Sequence, residues 1–292
     1  MKELVAKLIR RCGLEGLVRR TVSRGKVGIL VYHDPSVARF EAHLEFLSTR
    51  YAFVSLDDLS AALSTRDWSR IPRNALVVTF DDGHRGNREL LPAFERFGLH
   101  PTIYLCSGIV RGDGLFWFRL PGVDPEPLKL MSPAERTTVL QNAGVSGDID
   151  RHALTPAEVA ELTPTVDFGS HTISHPVLPL CSDEVASYEI AQSRAEVEDL
   201  AGTPCKHLSY PNGDYTDRET RLVREAGYAS ARTTEIGWNG RYADPLRLRI
   251  ISLADFASVD VLAAHLAGLL AVRRLVPALL HRRALQRRVP PA

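Results

Sequence analysis

Seven short runs of apolar, β-prone residues are spread along the chain, at 27–32, 76–80, 102–105, 166–168, 207–210, 229–233 and 249–251. Between them, residues 40–47, 89–97, 183–200 and 217–225 carry helical periodicity, with Gly98 placed to stop the second helix. A strand that returns to a parallel neighbour needs a crossover, and a helix is the common solution. The alternation therefore predicts an α/β fold with a mainly parallel sheet, open or closed into a barrel. In such folds chemistry gathers where the strands end. With 45% apolar residues, a chain of 292 has enough material for one sizeable core.

Residues 107–154 interrupt the alternation. They are rich in Gly, Pro and Asp, hold Phe116-Trp117-Phe118, and read as an insertion after the third strand, part loop and part short helix. The ends differ again. Leu4, Val5, Leu8 and Ile9 lie at helical spacing among basic residues, which predicts an amphipathic basic helix within 1–26. Arg273, Arg274, Arg282, Arg283, Arg287 and Arg288 crowd a second basic helical tail, expected over 258–292. The main domain is then 27–257. A basic amphipathic helix can dock on its own domain or rest on anionic lipid, and both readings stay open.

A net charge of +1 gives no sign of a nucleic-acid partner. Cys12, Cys106, Cys181 and Cys205 are scattered without a C-x-x-C pair, so free thiols in a reducing compartment are expected. No run approaches the roughly 20 apolar residues of a spanning helix. Arg10 and Arg11 break the first apolar stretch where a signal peptide would need it. The expectation is a cytoplasmic protein, with peripheral contact at the inner face of an anionic membrane through its basic helices. The sequence does not specify an oligomeric state.

Two clusters carry chemistry. In Thr79-Phe80-Asp81-Asp82-Gly83, adjacent carboxylates close an apolar strand, a costly position unless a site needs them. One can bind a cation while the other stays free as a base; alone, the same residues also suit a surface turn. In His171-Thr172-Ile173-Ser174-His175, the i, i+4 spacing sets two imidazoles on one face of a turn, and Pro176 keeps that turn short. Together, two His and one carboxylate suit zinc or another late first-row divalent ion, with positions left for water and substrate. Such an ion acidifies water toward neutral pH, and a neighbouring carboxylate can take the proton. That equipment hydrolyses an amide.

The sequence resembles the polysaccharide deacetylases, the NodB-homology group or carbohydrate esterase family four. Residues 79–83 look like that family's first motif and residues 171–175 like its second. Tyr210-Pro211-Asn212-Gly213 resembles the third, in a Tyr-Pro-x-Gly form, and Tyr32-His33 and residues 246–250 look like the same branch. The likeness runs from about 27 to 252, with 107–154 unmatched in detail. It implies a distorted (β/α)7-type barrel and a divalent metal, most simply zinc with cobalt or nickel as alternatives, bound by Asp82, His171 and His175. It also implies Asp81 as general base toward a water at that metal, and the backbone N–H of Asn212, after Pro211, as an oxyanion donor.

Two departures follow. Many members carry a base-orienting Arg in the third motif where this chain has Ser209, and Arg249 is a candidate to take over part of that role. Many carry a late Leu-x-His whose His protonates the leaving amine; Leu279-Leu280-His281 matches in letters but sits in the basic tail. His33 and, second, His84 are therefore the candidate general acids, each with a structural histidine as its alternative. Tyr210 and Pro211 are expected at the substrate. Trp117 is a candidate to stack on a sugar ring, although the aromatic cluster can equally pin the insertion to the core. The expected activity is removal of an N-acetyl group from an amino sugar of a glycan or glycolipid. Alternatives are a formamido sugar or cyclic ureide at the same site, or a carbohydrate-binding barrel without turnover.

Overall fold

A computed structural model of the protein describes residues 2–21, 23–143 and 149–268. Eight strands run in chain order: β1 Gly28–Tyr32, β2 Ala52–Phe53, β3 Ala75–Phe80, β4 Thr102–Leu105, β5 Asp167–Ser170, β6 His207–Ser209, β7 Ser230–Ile236 and β8 Leu248–Ser252. Every neighbouring pair is parallel, and β1 joins both β8 and β3. That double pairing closes seven strands into a barrel and leaves β2 outside it, paired with β3. The parallel sheet expected from the alternation forms, closed into the (β/α)7-type barrel that the family resemblance implies. Its distortion lies between β7 and β8, where the register shifts between Arg232 and Ile236.

The strand residues follow from what each face meets. A strand in a closed parallel barrel is buried on both sides, so β1 (GILVY) and β3 (ALVVTF) are almost wholly apolar and buried throughout. Period-two alternation sends Ile29, Val31, Val77, Tyr104 and Ile250 into the barrel interior. Leu30, Tyr32, Val78, Phe80 and Ile103 face the surrounding helices. The helices before the insertion are α1 Lys2–Arg11, α2 Leu14–Arg20, α3 Val37–Ser48, α4 Leu56–Thr65 and α5 Leu91–Phe97. In and after it come α6 Ser107–Arg111, α7 Pro125–Leu128, α8 Pro133–Asn142, α9 Pro156–Leu162, α10 Asp183–Ala201, α11 Asp217–Glu225 and α12 Val259–Leu266. Helix α4 packs Leu56, Leu59 and Leu63 against the interior cluster. Its Asp57 meets Lys206 and His207 where β6 begins, so α4 stoppers the end of the barrel away from the strand C-termini.

Local chemistry sets the helix ends. Thr155 caps α9 in a reciprocal box with Glu158, and Pro156 fills the first helical position, where a missing N–H costs nothing. Ser182 starts α10, and Gly202 ends it at φ 67. The N-terminal segment forms two helices, because Gly13 at φ 67 separates α1 from α2. Both contact α12. The insertion returns to the barrel end, with Leu154 donating its N–H to Gly83 O and Arg85 to His152 O. Residues 269–292, which include Leu279-Leu280-His281 and most of the expected tail, lie outside the described residues. Among the described residues, no helix is long and apolar enough to cross a membrane.

His43 ties the outer layer together. Its Nδ1 accepts from the Tyr32 hydroxyl at 3.1 Å and its Nε2–H donates to Ala257 O at 2.9 Å, which fixes one neutral tautomer. Burial, followed by the charge of Arg39, holds its pKa below the ordinary 6.5 although the Ala257 carbonyl pulls the other way. The unfolded chain takes up this proton on descending through about pH 6.5 while the folded one resists it. The contribution is therefore complete above that pH and declines below it. Melting curves between pH 7 and 5 should show a smaller loss of stability in His43→Leu than in the wild type. At pH 7 the variant should be less stable by about 1–3 kcal/mol, because two buried groups lose a partner.

Candidate active site at the mouth of the barrel

The three motifs meet where the strands end. Asp81 follows β3 directly and donates its N–H to Tyr32 O of β1 at 2.9 Å. Asp82 at φ 69 and Gly83 at φ 74 then turn the chain sharply. A Cβ on Gly83 would lie 2.6 Å from Leu105, so only glycine fits there. Thr172 and His175 after β5, and Asn212 after β6, also have positive φ. Six non-glycine residues do so among the described ones, and four of them fall in the three motifs. Unfavourable backbone geometry is thus concentrated where side chains must be aimed.

Asp82, His171 and His175 are all buried, and their ligand atoms lie within 4.8 Å of one another. The imidazole Nε2 atoms stand 3.4 and 3.6 Å from Asp82 Oδ1. Ligands about 2.0–2.1 Å from a tetrahedral ion are separated by about 3.4 Å, so the cluster has the spacing of a shared divalent ion. The outer contacts fit as well. His171 Nδ1 donates to Ser209 O at 2.7 Å, which leaves its Nε2 lone pair facing the cluster. Burial, then His171, lowers the pKa of His175 to about 3, so it stays a neutral ligand. Burial raises the Asp82 pKa, but a hydrogen bond from His84 and the proximity of His175 and His171 outweigh it and hold the carboxyl below its ordinary range.

Glu189 on α10 supports the turn between the two histidines. It accepts from the N–H groups of Ile173 at 2.8 Å and Ser174 at 3.0 Å, and from the Ser174 hydroxyl. The insertion supplies the other side. Trp117 Nε1–H donates to His175 O at 3.2 Å, and Arg136 of α8 lies over the Trp117 ring.

Asp81 stays off the cluster. Its Oδ1 accepts from Arg232, and its Oδ2 is 4.0 Å from His33 Nε2. Burial pushes its pKa up, while Arg232, His171 and His33 more than reverse that shift, so it is an ionised carboxylate. An inner cavity of about 280 Å³ is lined by Asp81, Asp82, His171, His175, Tyr210 and Asn212, among others. An outer cavity of about 500 Å³ continues past His33 and Phe118 toward Arg119, Asp255 and Phe256.

Several expectations need correcting. Arg249 is half exposed on the outside of β8, beside Glu235, because alternation turns Ile250 inward and residue 249 outward. The arginine at Asp81 is Arg232 of β7. Trp117 is buried behind His175 and does not line the cavity; Phe118, stacked on Phe116, lines it. Both His84 nitrogens are engaged, with Nε2–H donating to Asp82 Oδ2 at 3.2 Å and Nδ1 accepting from Arg119 at 2.8 Å, so it orients a ligand and its ring N–H is committed to Asp82. His33 is half exposed and borders both cavities. Tyr210 and Asn212 line the inner cavity, whereas Pro211 is buried in the turn and shapes it. Sequence reasoning missed Arg232 and Glu189, and within the aromatic cluster it put Trp117 ahead of Phe118. A charged residue inside the run 229–233 was the available signal for the first.

A closed parallel barrel with an acid pair beside two histidines at its mouth defines a hydrolase. Residues 69–231 match the family model for polysaccharide deacetylase. Over 260 residues, 86% of this chain and 79% of the relative, the protein is 20% identical to YxkH of Bacillus subtilis (strain 168), a candidate polysaccharide deacetylase. Its fold is similar to that of the Streptococcus pyogenes deacetylase PplD in complex with acetate. There the TM-score is 0.63 at 18% identity, covering 82% of this chain and 98% of the other. IcaB from Ammonifex degensii gives 0.64 at 16% identity, covering 83% and 97%. The chain belongs to the polysaccharide deacetylase family.

Removing Glu189 should loosen the histidine turn without touching a ligand atom. Glu189→Ala should weaken zinc binding by about 10–100-fold, as loss of outer-shell support does elsewhere. Competition against a chromogenic chelator measures this, and unchanged affinity would show that the turn holds itself.

Proposed function

We propose that the protein hydrolyses the N-acetyl group of an amino sugar in a glycan or glycolipid, with Asp81 as general base. The observation that carries this reading is the free, ionised Asp81 carboxylate directly beside the Asp82-His171-His175 cluster. A carbohydrate-binding barrel has no use for such a group. A divalent ion held by those three residues, zinc by their donor set with cobalt or nickel as alternatives, would acidify water and polarise the acyl oxygen. Asp81 Oδ2 then takes a proton from the attacking water, while Oδ1 stays on Arg232. The backbone N–H of Asn212, on the positive-φ turn after β6, is the donor the family pattern assigns to the oxyanion. His33, open to both cavities and 4.0 Å from Asp81 Oδ2, returns a proton to the departing amine. The outer cavity, bordered by Phe118 and Phe256, takes the rest of the sugar.

Amine release from N-acetylglucosamine oligomers and from a lipid-linked N-acetyl sugar tests this directly. Asp81→Asn should lower kcat by about 10²–10⁴-fold while metal remains bound, and chelation should abolish turnover. His33→Gln should remove the alkaline limb of the pH–rate profile, because the acid must be protonated to act. A full alkaline limb in that variant would exclude His33, and turnover unaffected by Asp81→Asn would exclude the mechanism.

We place the activity in the cytoplasm at an anionic membrane surface. The cysteines Cys12, Cys106, Cys181 and Cys205 are unpaired, as suits a reducing compartment. Helix α1 buries Ala6 and exposes Leu4 and Leu8, with Lys7 and Arg11 also exposed. Leu17 on α2 is exposed as well. An apolar strip bordered by cations matches the boundary of an anionic bilayer. The protein should float with anionic vesicles at low salt and not with neutral ones, and Leu4→Glu with Leu8→Glu should abolish flotation. Equal behaviour with both vesicle types would remove the anchoring role.

A further inference from the structure

We infer that Arg232 is the positioning residue of the base, and that it works as one unit with Ser209 across the β6–β7 pairing. The inference rests on the reading of Asp81 as base. Arg232 is 1% exposed, the largest fully buried side chain of the described residues, and it stands on the interior of a barrel lined by Val31, Val77 and Ile250. A buried guanidinium is costly unless acceptors surround it. Two acceptors meet the same Nη2: Asp81 Oδ1 and, at 2.6 Å, Ser209 Oγ. The guanidinium also lies 5.4 Å from the Tyr104 ring centroid, and its Nε is buried without a partner.

The geometry gives the arrangement a purpose. Arg232 takes one oxygen of Asp81 only, which stops the carboxylate from rotating and leaves Oδ2 as the oxygen on the His33 side of the cavity. The anchored oxygen cannot swing toward Asp82, so the base keeps apart from the cluster next to it. Ser209 fixes the other side of Nη2. It is the register partner of Arg232 on the neighbouring strand, and the hydrogen bond between them shows both side chains on the inner face. A short side chain at 209 leaves the volume that the guanidinium fills. The pair therefore needs one arginine and one serine, and either strand can supply the arginine. This explains how the third motif of this chain functions with serine where many relatives have arginine.

The test is transposition. Arg232→Met should lower kcat about 100-fold with KM unchanged, the cost of a reacting group displaced by about 1 Å. Zinc content should be unaltered. The exchanged pair Arg232→Ser with Ser209→Arg should recover most of the lost kcat, whereas Arg232→Ser alone should not. Arg232→Lys keeps the charge, but its shorter stem stops the ammonium short of the point where Nη2 meets both Asp81 and Ser209, and it should lower kcat at unchanged KM. If the exchanged pair does not fold, the lysine variant decides. A wild-type kcat in Arg232→Met or Arg232→Lys overturns the inference. So does a folded exchanged pair no better than Arg232→Ser. Asp81→Asn, assayed in parallel, separates the two failures: an active Asp81→Asn refutes the base itself, while an inactive one beside a fully active Arg232→Met refutes only the positioning role.

Discussion

Asp81 and Asp82 are adjacent, ionised and each less than a tenth exposed, at the end of a strand that is apolar but for Thr79. Burial alone would protonate or expel them. What keeps them charged is a ring of Arg232 and imidazole groups gathered from four chain segments: Arg232 from β7, His171 and His175 from the turn after β5, His33 after β1 and His84 beside the pair. Only a closed barrel brings those segments to one point, because β1 must pair with β3 to set His33 beside Asp81 and with β8 to bring Arg232 of β7 round to it. The fold and the site therefore depend on each other. Without the closure the carboxylates would have no partners, and without the partners the mouth would hold uncompensated charge.

The two carboxylates are neighbours in sequence but receive different environments, and that separation gives them different work. The positive φ at Asp82 turns it toward the histidines, while Asp81 remains in line with β3 and meets Arg232. The insertion continues the same logic. Arg119 holds His84, which holds Asp82; Trp117 holds the carbonyl of His175, and Arg136 packs on Trp117. Residues 107–154 thus serve as the outer support of the cluster, and Phe118 from the same segment walls both cavities.

The strands were legible because burial on both faces leaves so little choice of residue, while their closure into a barrel came only from the family resemblance. All seven runs of apolar residues became barrel strands, with ends shifted by at most three residues; β2, two half-buried residues beside β3, has no pattern to find. The cluster was legible because its three ligands come from two short local motifs. The partner of Asp81 was not, because its selection depends on strand register, which places residue 232 beside residue 209 only once the barrel is closed. The run 246–250 drew attention to Arg249, but a strand has two faces and that residue is on the wrong one. Trp117 and Phe118 show the same limit, since adjacent rings in an irregular segment face opposite ways for reasons of tertiary packing.

The central claim is that Asp82, His171 and His175 bind a divalent ion while Asp81 is withheld as a base. Anomalous scattering from crystals of the cobalt-loaded protein tests it most directly. The account predicts one strong peak about 2.0–2.2 Å from Asp82, His171 and His175, with Asp81 on Arg232 and outside the coordination sphere. A peak ligated by Asp81, or no peak at the three residues in metal-saturated protein, would contradict it.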